Sequence, residues 1–201
     1  MSLKVDPRIK RTRLLLQRAI NELLREKEFH HITVQDITAR AEVNRATFYA
    51  HFEDKYALLN YSVREEFLEA LAKRSDHWDV YTPTHLRSLI MVVYEFLSLF
   101  SGRCPSHGGP QSEDKLFVLS EVQKQVRVIL LGWLQPFASS STYPSCDAAV
   151  MIASWAIFGT AFQWSRTEHH LSSGEAADRI LAIIKPGLLP YLEPVEAAVA
   201  R

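Results

Sequence analysis

Residues 33–52 of this 201-residue chain are TVQDITARAEVNRATFYAHF, and this stretch decides the fold. Thr33 followed by Asp36 has the spacing of a capping box, with Asp in place of the more common Glu, and it predicts the start of a short helix. After a tight turn, Asn44 is a good N-cap for a second short helix. Two short helices joined in this way form a helix-turn-helix, an arrangement that places its second helix in the major groove of DNA.

The apolar residues around the turn predict which sides of the two helices are buried. The inner side is expected to hold Val34, Ile37, Ala41, Val43, Phe48 and Phe52, packed on Leu16, Ile20 and Leu24 of a preceding helix. The outer side is then left to Arg45, Ala46, Tyr49 and Ala50, with Thr47 and His51 beside them. The outer set is therefore available to a ligand.

This outer side has the chemistry for reading DNA. Arg45 carries the forked guanidinium that binds O6 and N7 of guanine, and Ala46 is small enough to let the helix approach the bases. Polar neighbours can donate hydrogen bonds to phosphate, and the helix N-termini after Thr33 and Asp54 favour phosphate as well. The predicted DNA-binding residues are Thr33, Asn44, Arg45, Ala46, Thr47, Tyr49, His51 and Lys55. The basic arm before them is expected to add non-specific phosphate attraction through Lys4, Arg8, Lys10, Arg11 and Arg13.

At these residues the sequence resembles the TetR family of transcriptional regulators. The most specific part of the resemblance is the run Thr47-Phe-Tyr-Ala-His-Phe52, followed three residues later by Lys55. The resemblance covers about residues 9–60, and it implies a homodimer that binds a palindromic operator. Two residues depart from the family pattern: Glu42 stands in the turn where Gly is usual, and Ala46 stands where Gly is frequent. Both departures leave the DNA-contacting groups in place.

The rest of the chain also has the pattern of helices. The chain holds only 7 glycines and no persistent strand alternation, so an all-α fold is expected. Helices are predicted over about 8–27, 34–41, 45–52, 55–74, 84–101, 115–137, 146–167 and 173–189. We predict an N-terminal three-helix helix-turn-helix DNA-binding domain over residues 1–54 and a larger C-terminal helical regulatory domain over residues 55–201.

The charge distribution agrees with this division. The first 56 residues carry 11 Lys and Arg against 8 Asp and Glu, whereas the remainder carries 12 against 15. A basic segment attached to an acidic one favours an anionic partner for the first segment only.

The C-terminal part is expected to form a homodimer. The helix predicted over about 146–167 is apolar on nearly all sides, so other helices must cover it. The helix at about 173–189 is a plausible partner, and two such helices from each subunit would form a four-helix interface. The alternative is an ordinary core within one chain. A palindrome needs two copies of the recognition helix, which favours the dimer.

The same part is rich in aromatic residues, which suits a pocket for a small apolar or aromatic effector. The candidate polar anchors for that effector are Tyr94, Gln125, Ser154 and Gln163. Each of the four has an alternative interpretation as a surface residue or a satisfied core group. An effector that binds there and releases DNA predicts a repressor, although the sequence leaves the sign of regulation open.

Other function classes have no motif behind them. The sequence contains no Gly-x-Ser-x-Gly, P-loop or dinucleotide fingerprint, so neither an enzyme nor a cofactor is expected. The neighbours His30 and His31 are expected to point to different faces of a helix, and no metal site is expected. The absence of a signal peptide and of a long apolar run predicts a cytoplasmic protein without a membrane partner. The competing class is a protein-interaction module of the same fold that recruits a partner without reading DNA.

Overall fold

The computed structural model describes residues 6–74, 76–103, 113–137, 146–166 and 171–192. Within those residues the chain forms eight α-helices and no strands, which confirms the all-α prediction. The helices are α1 (Pro7–Glu26), α2 (Val34–Arg40), α3 (Arg45–His51), α4 (Lys55–Ala72), α5 (Pro83–Arg103), α6 (Glu113–Leu134), α7 (Asp147–Trp164) and α8 (Ser173–Leu188). Short 3-10 turns lie at Phe29–His31, Gln135–Phe137 and Leu189–Tyr191.

The chain divides into two compact units. The first unit lies within residues 1–66 and 102–118, and the second within residues 67–101 and 119–201. The division therefore falls inside α4, between Glu66 and Phe67. The boundary between functional domains at residues 54 and 55 stays a prediction from the sequence.

The core of the first unit is built as the sequence predicts. Leu16 and Ile20 of α1, Ile37 of α2 and Phe48 of α3 are fully buried. Ala41 and Phe52 are also buried, while Leu24, Val34 and Val43 are half-buried at the margin. Burial of a large aliphatic or aromatic side chain stabilises the fold by about 1.5–3 kcal/mol. This shared core fixes the orientation of α3 on α1 and α2.

The turn between α2 and α3 is a Schellman motif. The amide of Val43 donates to the carbonyl of Thr38 at 3.1 Å, and the amide of Glu42 donates to the carbonyl of Ala39 at 3.3 Å. Glu42 adopts a left-handed conformation with φ of 54°. Glycine is the usual residue at this position because its lack of Cβ removes the steric cost. Glu42 therefore keeps the backbone conformation of the glycine that is usual at this position.

Glu42→Gly is therefore expected to stabilise the first unit. An L-residue in the left-handed region costs roughly 1–2 kcal/mol, and the greater freedom of unfolded Gly offsets about half of that gain. The expected gain is about 0.5–1 kcal/mol in the free energy of unfolding, measured by denaturant titration. Glu42→Ala is the control because it removes the carboxylate and keeps the Cβ. An equal gain from the Ala variant would contradict the backbone explanation.

The second unit packs its own core from α5, α6, α7 and α8. Its fully buried side chains include Leu89 and Ile90 of α5, Val126 of α6 and Ile157 of α7. A bidentate ion pair joins α5 to α8. Arg87 donates to both carboxylate oxygens of Asp178, at 2.5 and 3.0 Å. At the start of α8, Ser172 and Glu175 form a capping box.

Two local features differ from the sequence-based prediction. The 3-10 turn at Phe29–His31 has no periodicity that would reveal it, because it is only three residues long. Pro186, Pro190 and Pro194 predict a broken, frayed end of the last helix, but α8 continues through Pro186 to Leu188. Proline removes the amide donor of residue 186, but the last turn still closes, with the Leu189 amide donating to the Lys185 carbonyl. Pro194 lies outside the described residues. Among the described helices, none combines the length and apolar character that crossing a membrane requires.

Candidate nucleic-acid interface

The outer side of α3 presents the side chains that the sequence predicts. Arg45, Ala46 and Ala50 are exposed, and Tyr49 keeps 49% of its surface accessible. Arg45 donates a hydrogen bond to the Tyr49 hydroxyl at 3.3 Å, and its guanidinium lies 5.7 Å from the centre of the Tyr49 ring. The pair stands one helical turn apart between small alanines, so a cation and an aromatic hydroxyl project together from a narrow helix face.

Asn44 is the N-cap of α3, and Thr47 is the residue that it binds in the first turn. The Asn44 side chain accepts from the Thr47 amide at 2.7 Å and from the Thr47 hydroxyl at 2.8 Å. The sequence predicts that Thr47 donates to phosphate, but in the structure its hydroxyl donates to Asn44. Thr47 can still accept a hydrogen bond, and its contribution is chiefly to the cap. His51 is half-buried in the last turn of α3.

Thr33 is the N-cap of α2 and forms the predicted capping box with Asp36. Its hydroxyl accepts from the Asp36 amide at 3.1 Å, while its own amide donates to the Asp36 carboxylate at 2.8 Å. The hydrogen bond from Lys27, followed by those from Thr33, lowers the pKa of Asp36 from 3.8 to about 2. The ionised carboxylate therefore stabilises this junction above the ordinary pKa, and the contribution is lost as the pH falls from about 4 to about 2.

Lys55 has a role that the sequence analysis did not predict. Its ammonium donates to the carbonyls of Phe29 at 3.0 Å, His30 at 3.1 Å and Ile32 at 2.8 Å. It also lies 4.6 Å from the centre of the Phe29 ring. An ammonium has three hydrogens, and these contacts engage all of them. In this structure Lys55 fastens the 3-10 turn to the start of α4, whereas its contact with phosphate stays a prediction.

The basic arm is divided between exposed and packed residues. Arg8, Lys10 and Arg11 are exposed on α1 and remain candidates for phosphate attraction. The Arg13 guanidinium instead lies 5.8 Å from the ring centre of Phe52 and 5.6 Å from that of Tyr61, so packing restricts it. Lys4 lies outside the described residues.

Three of the four predicted effector anchors are buried in the second unit. Tyr94 is 3% exposed, and burial raises the pKa of its hydroxyl, which contacts Thr160. Gln125 donates to the carboxylate of Glu121 at 2.6 Å, and the Ser154 hydroxyl donates to the Met151 carbonyl at 3.0 Å. These three are satisfied polar groups of the core, an alternative that the sequence analysis kept open.

The fourth anchor is placed differently. Gln163 is exposed, whereas Ser154 on the same helix is fully buried. Nine residues at 100° each separate them by half a turn around α7, so the two side chains cannot line the same pocket of one subunit. Among the described residues, Glu121 is a further buried polar residue that the prediction did not include, and only 5% of its surface is exposed. Glu121 and Gln125 are four residues apart on α6, and this spacing could have indicated from the sequence that their side chains meet.

The two neighbouring histidines do not point to different faces. They lie in the 3-10 turn, where the ring centres of His30 and His31 are 3.7 Å apart and the ring planes are tilted by 45°. The expectation assumed an α-helix, in which consecutive side chains diverge by about 100°. The short turn and the extended residue after it bring the rings together instead.

Comparisons with known sequences agree with this arrangement. The profile of bacterial regulatory proteins of the tetR family matches residues 16–61. The uncharacterized HTH-type transcriptional regulator YxbF of Bacillus subtilis is 38% identical over 69 residues, which are 34% of this chain and 18% of that protein. The HTH-type dhaKLM operon transcriptional activator DhaS of Lactococcus lactis is 30% identical over 67 residues, which are 33% of this chain and 36% of that protein. These matches span well under two thirds of either relative's length.

Comparison with solved structures extends the similarity to most of the chain. The transcriptional regulator FadR of Bacillus subtilis, solved in complex with stearoyl-CoA, covers 87% of this chain and 98% of its own, with a TM-score of 0.54 and 17% identity. At that identity the likeness concerns the fold alone. The capped helix-turn-helix of α2 and α3 is the arrangement by which helix-turn-helix proteins place a helix on DNA. Residues 16–61 match the model of the TetR family of bacterial regulatory proteins, so this segment of the chain carries that family's DNA-binding unit.

Proposed function

We propose that the protein is a homodimeric transcription regulator that binds a palindromic operator through α3. The observation that carries the proposal is the exposed Arg45–Tyr49 pair on a helix whose neighbouring outer residues, Ala46 and Ala50, are small. Arg45 would reach the O6 and N7 of a guanine, and the small residues would let α3 enter the major groove. Such a role places the protein in the cytoplasm, together with a bacterial chromosome.

The direct test is selection of bound sequences from a random duplex pool, followed by fluorescence anisotropy with the selected operator. The expected result is an inverted repeat whose half-sites lie about 34–36 Å apart or a multiple of that spacing. The expected affinity is at least about 10³-fold above that for scrambled DNA of the same length. Failure to enrich any sequence, together with binding to a protein partner, would favour the protein-interaction alternative.

Arg45→Ala is expected to weaken operator binding by about 1–3 kcal/mol per half-site and to relax the base preference at one position of each half-site. The reason is loss of a bidentate contact to a base edge. Anisotropy titrations with the operator and with scrambled DNA measure the two effects. Arg127→Ala is the charge-matched control, since Arg127 is exposed on α6 of the second unit. An equal loss on both DNAs would make Arg45 a phosphate contact and contradict base reading.

The dimer is proposed to form through the exposed apolar face of α7 and α8. Ile152 and Ile183 expose 72% and 73% of their surfaces, and Met151 and Trp155 on α7 expose about half of theirs. A groove between the helices is lined by Ala149, Ala156 and Gly187 among other small or apolar residues. A contiguous apolar patch of this kind marks an interaction surface on a folded protein. A second copy of the chain would cover it with the same patch, as a two-fold interface requires.

We further propose that a small apolar or aromatic effector binds the second unit and releases DNA. Tyr94, Gln125 and Ser154 are polar residues buried in its apolar core, and a ligand would exchange their present contacts for its own. An effector that prefers a subunit arrangement with the wrong spacing of recognition helices would lower operator affinity by linkage. Repression is the simplest sign, because a dimer bound over a promoter blocks transcription without further contacts.

A thermal-shift screen of apolar and aromatic compounds, followed by anisotropy with the operator, tests this coupling. A compound that binds the second unit is expected to lower operator affinity roughly 5–150-fold. A compound that stabilises the second unit and leaves operator affinity unchanged would contradict the proposed coupling. A reporter strain with the gene deleted gives the sign, and loss of reporter expression on deletion would contradict repression.

A further inference from the structure

The first unit holds a cluster of side chains that can bind a metal ion. The carboxylate of Glu28 and the imidazoles of His30 and His31 place one donor atom each within 4.8 Å of the others. Glu28 Oε2 lies 3.4 Å from His30 Nδ1. Both histidines are exposed, and Glu28 is half-buried. No residue of this cluster takes part in the proposed contact between α3 and DNA.

The backbone under the cluster is held in place, so the donors project from a fixed turn. Phe29, which lies between Glu28 and the histidines, is buried and packs edge-to-face on Tyr56 with ring centres 5.1 Å apart. The Lys55 ammonium donates hydrogen bonds to the backbone carbonyls of Phe29 and His30. A ligand set on a fixed backbone loses less conformational entropy on binding than one on a mobile loop.

The distances suit a small ion after modest side-chain rotation. A tetrahedral ion with metal–nitrogen bonds of about 2.1 Å needs donors about 3.4 Å apart. The Glu28–His30 pair already has this separation, and the other pairs must close by at most about 1.4 Å, which χ rotation of two exposed side chains supplies. Three protein donors leave the remaining positions of the ion open to water.

We propose that Glu28, His30 and His31 form a site for one divalent transition-metal ion of the Zn²⁺, Ni²⁺ and Cu²⁺ group. Imidazole nitrogens select this group over Mg²⁺ and Ca²⁺, which prefer all-oxygen sites. A single carboxylate beside two imidazoles fits the same preference and partly neutralises the ion. The site goes beyond the proposed function, because metal binding is measured without DNA and its failure leaves operator binding untouched.

The test uses the full chain without an affinity tag. Competition of the protein with a chromophoric chelator gives the Zn²⁺ affinity of the wild type and of His30→Gln, His31→Gln and Glu28→Gln. Loss of a direct ligand is expected to weaken binding at least tenfold, since even loss of an outer partner costs about 10–100-fold. His77→Gln is the matched control, because His77 is exposed in the second unit outside the cluster. Circular dichroism establishes that each variant stays folded.

Electron paramagnetic resonance of Cu²⁺, with the cysteines alkylated, counts the imidazoles directly. Nitrogen couplings from two imidazoles are expected in the wild type and from one in each histidine variant. Loss of affinity in all three cluster variants, with His77→Gln unchanged, would support the site. Equal Zn²⁺ affinity in wild type and His30→Gln, or no binding at millimolar Zn²⁺, would overturn it.

Discussion

Lys55→Met is expected to destabilise the helix-turn-helix unit by about 3 kcal/mol, because it removes three hydrogen bonds from one ammonium. Each charge-assisted bond contributes about 1.5–3 kcal/mol when isolated, and water replaces part of this at the half-buried Lys55. Methionine keeps much of the aliphatic stem against Phe29, so the loss reports mainly on the carbonyls of the 3-10 turn. Amide hydrogen exchange in α2 measures this loss of stability, and the protection factors of the α2 amides are expected to fall about 10²-fold.

Lys73→Met is the control for this experiment. Lys73 is 71% exposed at the end of α4, where it pairs with Glu69 at 2.9 Å, and its loss is expected to change stability by less than about 0.5 kcal/mol. A salt titration of operator affinity then separates the two roles of Lys55. Loss of a phosphate contact lowers the slope by about 0.9, whereas a purely structural role leaves the slope unchanged. Unaltered hydrogen exchange with a lowered slope would contradict the structural role.

The helix-turn-helix could be predicted closely because its signals are local. Thr33, Asn44 and Asp54 each cap the helix that follows them through bonds within three residues, and such bonds depend on sequence spacing alone. The outward position of Arg45 and Tyr49 follows from the same helical period. Local chemistry therefore determined both the elements and the exposed set that would contact DNA.

The contacts that the sequence could not reveal are long-range. Lys55 reaches carbonyls 23 to 26 positions earlier in the chain, and nothing near Lys55 indicates that its hydrogens are engaged there. The approach of His30 and His31 depends on a three-residue 3-10 turn, which is too short for a periodic pattern. Burial of the Gln125–Glu121 pair likewise depends on packing by other helices, although its spacing of four is visible in the sequence. The position of Gln163, half a turn around α7 from Ser154, follows from the helical period alone.

Ile183→Glu is expected to give a folded monomer with a dimer dissociation constant raised at least about 10³-fold. Ile183 is 73% exposed, so the substitution does not disturb the core of one subunit. In a two-fold interface the substitution occurs twice, and each carboxylate would lose its water against apolar side chains of the partner. A cost of about 4 kcal/mol corresponds to that change in dissociation constant. Ile152→Glu on α7 is expected to have the same effect, because it lines the same groove.

Analytical ultracentrifugation across a wide concentration range measures the dissociation constant of each variant. Val128→Glu is the matched control, since Val128 is a similarly apolar residue that is 54% exposed on α6. The control is expected to stay dimeric, and all three variants are expected to keep the wild-type helix content. Because a palindrome is read by two recognition helices at once, the monomeric variants are also expected to bind a single half-site with nearly the affinity that they show for the full operator. Dimers of unchanged dissociation constant in both Ile152→Glu and Ile183→Glu would place the subunit interface on another surface, and the apolar face of α7 and α8 would then need a different partner.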